Sequence, residues 1–113
     1  HAAEHKRLRK AVQSLDAASS NAELHAVRIH VKRARYAAEL SGAGAYVKAA
    51  KVLQDVLGEH QDAVVAVEKL RDLATRMPDT ALAAGRLVER ERARAARGRD
   101  EWRSAWKKLA KAA

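Results

Sequence analysis

Apolar residues recur along most of the chain at intervals of three and four, the spacing that places them on one face of an α-helix. The clearest row lies at positions 24, 27, 31, 34 and 38, and a broader row runs from position 52 to position 74. The pattern is interrupted at residues 16–21, 41–44 and 77–80, where helix-capping residues, glycine or proline gather. We therefore predict four helices, at about residues 2–16, 22–41, 45–76 and 80–111.

The breaks between the predicted helices are short, and short connections make consecutive helices antiparallel. The composition favours helix throughout, because Ala, Leu, Arg, Lys and Glu are frequent, Phe is absent and Pro occurs once. A chain of 113 residues suffices for one small core but not for two. We expect a single all-α domain over residues 1–113, folded as an antiparallel four-helix bundle of long amphipathic helices.

The chain is strongly basic, with 23 Lys and Arg against 14 Asp and Glu and a formal net charge of +9. Such an excess raises the local concentration of polyanions, and guanidinium groups grip phosphate oxygens two at a time. Cysteine is absent, which excludes disulfides, thiolate metal sites and thiol nucleophiles. Because no apolar run approaches about 18 residues either, we expect a cytoplasmic protein. The Ala- and Arg-rich usage indicates a bacterial source.

The second predicted helix combines its apolar row with a neighbouring stripe of cations. At about 100° per residue the stripe fills an arc of about 100°, and Glu23 and Glu39 are the only acidic residues that flank it. Cations that recur every turn, about 5.4 Å apart, suit a linear anion such as a phosphate chain. Histidine and tyrosine, which a purely solubilising stripe does not need, can also donate to an oxyanion. We name this set the basic stripe: His25, Arg28, Lys32, Arg35 and Tyr36.

The third and fourth predicted helices hold further candidates. His60 falls within the apolar row, so we expect a partly buried histidine with satisfied hydrogen bonds, and a ligand contact is the second alternative for this residue. Gly58 sits in mid-helix, where glycine costs about 1 kcal/mol, and we expect another backbone to approach it closely. Glutamates accompany a row of arginines on the fourth helix, which is either a second phosphate surface or an ordinary solvated face. The row comprises Arg86, Arg90, Arg94, Arg97 and Lys108, and its candidate phosphate contacts are Arg86, Arg90 and Arg97.

Catalytic machinery is not recognisable in the sequence. The string His1-Ala2-Ala3-Glu4-His5 matches the H-x-x-E-H pattern of one zinc peptidase class, but no third ligand accompanies it. There is no Gly-rich phosphate loop, no nucleophile elbow and no acidic pair near the stripe that could hold Mg²⁺. We expect a protein without catalytic residues, metal or cofactor.

Two segments resemble a known family. The pattern His25-x-x-Arg28-x-x-x-Lys32-Arg33-x-Arg35-Tyr36 is similar to the signature helix of the CHAD family, the conserved histidine α-helical domain. The segment from Leu53 to Asp62 resembles the LQxxLGxxxD segment that follows in that family, and the tryptophans at positions 102 and 106 resemble the close of its last helix. The motifs stand in the family's order and span nearly the whole chain.

The resemblance implies a fold and a function. Members of the CHAD family consist of two similar four-helix halves around a basic channel and bind inorganic polyphosphate. This chain resembles the second half, so a homodimer or the missing first half would complete the channel. By resemblance, the basic stripe and Arg33 would contact polyphosphate. Two alternatives remain from the charge alone, a nucleic-acid-binding module and a helical module that docks an acidic partner protein.

Overall fold

The computed structural model describes residues 1–113, which form four α-helices and no strand. A short 3₁₀ turn at Pro78–Thr80 precedes the last helix. This architecture confirms the all-α prediction, and three of the four helices lie within two residues of their predicted bounds. The helices are α1 (Ala2–Gln13), α2 (Asn21–Leu40), α3 (Gly44–Arg76) and α4 (Ala81–Ala112).

Helix α1 ends earlier than predicted, at Gln13 rather than at about residue 16. The reason is local, because the side chain of Asp16 accepts a hydrogen bond from the backbone N–H of Ala18 at 2.8 Å. The hydroxyl of Ser19 in turn accepts the backbone N–H of Asp16 at 2.8 Å. Such short side-chain-to-backbone bonds replace the helical pattern with a turn.

Helix α2 is delimited at both ends by sequence features that the prediction used. Ser20 and Glu23 form a reciprocal capping box at its start. At its end Gly42 adopts a φ of 74°, in the left-handed region that favours glycine. The N–H of Ala43 then reaches back to the carbonyl of Ala38 at 3.0 Å, which closes a Schellman motif.

The four helices pack together at one end of the molecule only. Helix α3 contacts both α2 and α4, while α1 packs on α2 and reaches α4 through His5, which stacks on Trp106 with 5.5 Å between ring centroids. The main buried cluster draws on α3 only as far as Leu57 and on α4 only from Trp102 onward. Beyond it, α3 and α4 continue as a two-helix hairpin, and the molecule measures 53 × 26 × 19 Å. The four-helix core therefore takes in less than half the length of each of the two long helices.

Helices α3 and α4 approach each other most closely at a glycine. A Cβ atom on Gly98 would lie 2.8 Å from His60 Cβ and 3.4 Å from its Cα, so only glycine fits this contact. The expectation of a close backbone at Gly58 was wrong, because its nearest neighbours are guanidinium atoms of Arg28 at 3.4 to 3.8 Å. None of the helices is long and apolar enough to cross a membrane.

Candidate functional site

The basic stripe lies along one side of α2, next to the row that this helix buries in the core. Leu24, Val27, Val31, Ala34 and Ala38 form the buried row. His25, Arg28 and Arg35 are partly buried at the edge of this row, whereas Lys32 and Tyr36 are exposed. Arg33 is exposed as well, but it points about 80° away from His25 around the helix. The structure thus brings the five stripe residues together and sets Arg33 apart.

Arg28 sits in a groove between α2 and α3. Its guanidinium lies over Gly58, and the missing side chain there provides the space that it occupies. The Nε atom of Arg28 is buried without a hydrogen-bond partner, and the residue forms no ion pair. The groove has a volume of about 300 Å³ and is lined by Arg28, Gln54, Asp55, Gly58, Glu59 and Asp62.

The rest of the stripe is also largely free of acidic partners. Lys32 forms no ion pair, and Arg35 has one, at 3.6 Å from Glu39. The guanidinium of Arg35 also lies 4.8 Å from the ring centroid of Tyr36, which holds both side chains on the same side of the helix. Nδ1 of His25 is buried and lacks a hydrogen-bond partner. The terminal nitrogens of Arg28 and the ammonium group of Lys32 form no ion pair and remain available to an added anion.

Three exposed carboxylates line the outer side of α3, and we call Asp55, Glu59 and Asp62 the acidic ridge. None of them forms an ion pair with Arg28, and Arg94 on α4 engages two of them from the other side, while Asp55 stays unpaired in the groove beside Arg28. Arg94 lies 2.7 Å from Glu59 and 3.9 Å from Asp62. It also pairs with Glu91 at 3.0 Å, and its hydrogen bonds to Glu59 and Glu91 raise the pKa of Arg94. Arg94 thus occupies two of the carboxylates nearest to Arg28, a role that sequence reasoning missed.

The second arginine row lies apart from the basic stripe. Arg86 and Arg90 are exposed on α4 and form no ion pair, and Arg97 lines a groove with Asp55, Glu59 and Glu101. Helix α3 lies between α2 and α4, so the acidic ridge separates the two basic rows. The structure does not join them into one surface.

Two histidines are buried in ways that lower their pKa. His60 is only 2% exposed, and burial, together with the charge of Arg99, lowers the pKa of His60. Its burial exceeds the prediction, and no group of the chain hydrogen-bonds to its ring, although its nitrogens are not among the buried atoms that lack a partner. His5 lies with Nδ1 2.8 Å from the hydroxyl of Tyr46, and burial and then Arg9 lower the pKa of His5. Burial also raises the pKa of Tyr46 to about 12.

The histidines of the H-x-x-E-H string face protein groups. Nδ1 of His1 lies 3.2 Å from the hydroxyl of Ser41, and His5 is engaged with Tyr46. No group of three or more His, Asp or Glu side chains is arranged to hold a metal ion.

Comparison with known proteins places this geometry in context. A family model described as the CHAD domain matches residues 2–71, which include the whole of α2 and most of α3. The uncharacterized proteins MT2285 and Rv2226, from two strains of Mycobacterium tuberculosis, are each 37% identical to the chain over 121 residues. The match covers 97% of this chain but 23% of each relative, so the chain spans less than a quarter of their length. No solved structure matches the chain significantly.

Proposed function

Because the chain belongs to the CHAD domain family, we propose that it binds inorganic polyphosphate through the basic stripe of α2, without catalysing a reaction. The main support for this proposal is that two cations of the stripe lack an acidic partner. Arg28 and Lys32 lie one turn apart and neither has a carboxylate partner. Cations that the fold leaves unpaired can exchange their water for phosphate oxygens without first breaking an ion pair.

The spacing of the stripe supports a linear ligand. Arg28, Lys32 and Arg35 follow one another at intervals of four and three residues, so successive cations lie about 4.5 to 6 Å apart along the helix. A polyphosphate chain presents negative oxygens at every unit, and several stripe cations can contact one chain at the same time. Tyr36 adds a hydroxyl donor at the end of this row.

Calorimetry with long-chain polyphosphate and with duplex DNA tests the proposal. We expect polyphosphate to bind with an affinity that falls steeply between about 50 and 200 mM salt, because the contacts are ionic. Polyphosphate should displace DNA readily and DNA should displace polyphosphate poorly, since Trp102 is buried and offers no platform for bases. No heat with polyphosphate at moderate salt, or tighter binding of DNA, would contradict the proposal.

We further propose that another helical half, either a second copy of the chain or the missing first half, covers the outward side of α2. This side exposes two large apolar residues beside the stripe, Ile29 at 43% and Leu40 at 92%, together with Tyr36 of the stripe itself at 46%. Ile29 and Tyr36 are seven residues apart, and Leu40 follows four residues later, with Arg33 in the interval. This spacing is typical of the contact row between two paired helices. A half placed there would close the basic stripe into a channel.

Sedimentation of the isolated chain with and without polyphosphate tests this pairing. We expect a dimer that polyphosphate stabilises, because the ligand neutralises the facing cations. An Ile29→Lys variant should sediment as a monomer under the same conditions. A wild-type chain that remains monomeric at high concentration with saturating polyphosphate would exclude the self-pairing form.

A further inference from the structure

A second groove opens where the α3–α4 hairpin leaves the bundle, beside the start of α2. It has a volume of about 360 Å³. Its apolar part comes from the inner sides of α3 and α4, where Val64, Val67 and Ala95 lie. Its polar part contains one carboxylate, Glu68, and five groups that can donate hydrogen bonds to an anion: Asn21, His60, Arg71, Arg92 and Arg99.

His60 is the buried polar group of this groove. Only 2% of the surface of His60 is exposed, yet the residue lines the groove. Its ring forms no hydrogen bond with any group of the chain. Its nitrogens are not among the buried atoms that lack a hydrogen-bond partner, so they open onto the groove, where an added ligand can reach them. The backbone of His60 packs closely against Gly98. The groove therefore contains a histidine ring that no group of the chain engages.

The arginines around His60 are placed to receive negative charge. One terminal nitrogen of Arg99 donates to the carbonyl of Ser19 at 2.6 Å and to the side chain of Asn21 at 3.1 Å, which orients the guanidinium and leaves its other nitrogens free. Arg71 forms no ion pair, and Arg92 has only an exposed contact with Glu89 at 3.3 Å. Three guanidiniums thus face one carboxylate.

This groove is distinct from the basic stripe. Gly58 contacts Arg28 of the stripe, whereas His60 lies two residues further along α3. Two residues correspond to about 200° of rotation, so the two positions face nearly opposite sides of the helix. The arginines of this groove, Arg71, Arg92 and Arg99, are not members of the stripe, so the two surfaces can be tested with separate variants.

We propose that this groove is a second anion-binding site, for a small phosphate-bearing molecule. Guanidinium forks suit the several oxygens of a phosphate group better than a single carboxylate does. The apolar part, with Val64 and Val67, accommodates the uncharged portion of such a molecule. The inference goes beyond polyphosphate binding and does not depend on it. Burial and then the charge of Arg99 lower the pKa of His60, and an anion bound beside Arg99 would oppose the second effect and raise that pKa.

Proton NMR of the His60 ring, titrated with inorganic pyrophosphate, tests the proposal. His60 is assigned by comparison with a His60→Asn variant. We expect saturable movement of the His60 resonances and an upward shift of its pKa when pyrophosphate is bound. An Arg71→Gln/Arg92→Gln variant should weaken this binding at least about tenfold, because two of the phosphate contacts are lost. The matched control is Lys107→Gln/Lys111→Gln, which removes the same charge from exposed positions of α4 and should keep the response.

Two results would overturn the second site. One is a His60 ring that pyrophosphate does not move, and the other is an unchanged response in the Arg71→Gln/Arg92→Gln variant. The stripe variant Arg28→Ala/Lys32→Ala separates this outcome from a failure of the polyphosphate proposal. It should keep the response of His60 to pyrophosphate whether or not it binds polyphosphate.

Discussion

Replacing Arg28 and Lys32 together by Ala is expected to weaken polyphosphate binding by roughly 100-fold, since each charge-assisted hydrogen bond contributes about 1.5 to 3 kcal/mol. Neither side chain supports the fold through an ion pair, so we expect the substitutions to weaken ligand binding rather than to destabilise the fold. Lys32 is exposed, and the partly buried Arg28 places its guanidinium over Gly58. Calorimetry at constant salt measures the loss, and the dependence of affinity on salt should become shallower because fewer counterions are exchanged.

The matched control removes the same charge from the second arginine row. An Arg86→Ala/Arg90→Ala variant lowers the net charge equally but alters exposed residues on α4, beyond the acidic ridge. We expect its affinity to fall by less than about threefold, the scale of a screened long-range effect. Equal losses in the two variants would mean that net charge, rather than the stripe, binds the anion. An unchanged affinity in the Arg28→Ala/Lys32→Ala variant would place the site elsewhere on the protein.

Local sequence rules were sufficient for the helices and for the stripe. The capping box at Ser20 and the left-handed glycine at Gly42 follow from neighbouring residues alone, so the bounds of α2 could be predicted. The arc that holds Arg28 and Lys32 follows from helical periodicity, and the family assigned from the motifs is confirmed by the family match. The prediction made helix α1 too long, because Asp16 is compatible with both a helix and a turn. In the structure its side chain accepts a hydrogen bond from the N–H of Ala18, which favours the turn.

Contacts between helices could not be predicted in the same way. Arg94 looked like one member of a solvated row, but its position opposite Glu59 depends on how α3 and α4 pack. That packing determines whether Arg28 is neutralised by the acidic ridge or left for a ligand. The sequence also placed the close helix contact at Gly58, although Gly98 carried the same signal of a glycine in mid-helix. Only the packing of α3 on α4 distinguishes a glycine beside a flexible arginine from one beside a backbone.

Gly98→Ala is expected to lower the free energy of unfolding by about 2 kcal/mol, within the range for overpacked sites. The added methyl group would lie 2.8 Å from His60 Cβ, and the nearby Cα of His60 prevents relief by a change of side-chain rotamer. The two long helices would have to separate at their closest point, which loosens the burial of Trp102 one turn further along α4. The gain in helix propensity, up to about 1 kcal/mol, opposes this loss but does not cancel it. Urea denaturation followed by circular dichroism measures the difference.

Gly58→Ala is the matched control, because it makes the same chemical change in mid-helix beside a different neighbour. Its new methyl group would meet the guanidinium of Arg28 at 3.4 Å, and the end of a flexible side chain can move away. We therefore expect unchanged or higher stability, by up to about 1 kcal/mol from helix propensity, together with weaker polyphosphate binding because Arg28 is displaced. Equal stability of the two alanine variants would contradict the close contact of α3 with α4 at His60. The same packing contact fixes His60 in its groove and sets Arg94 against the acidic ridge, so its loss would alter both anion-binding surfaces.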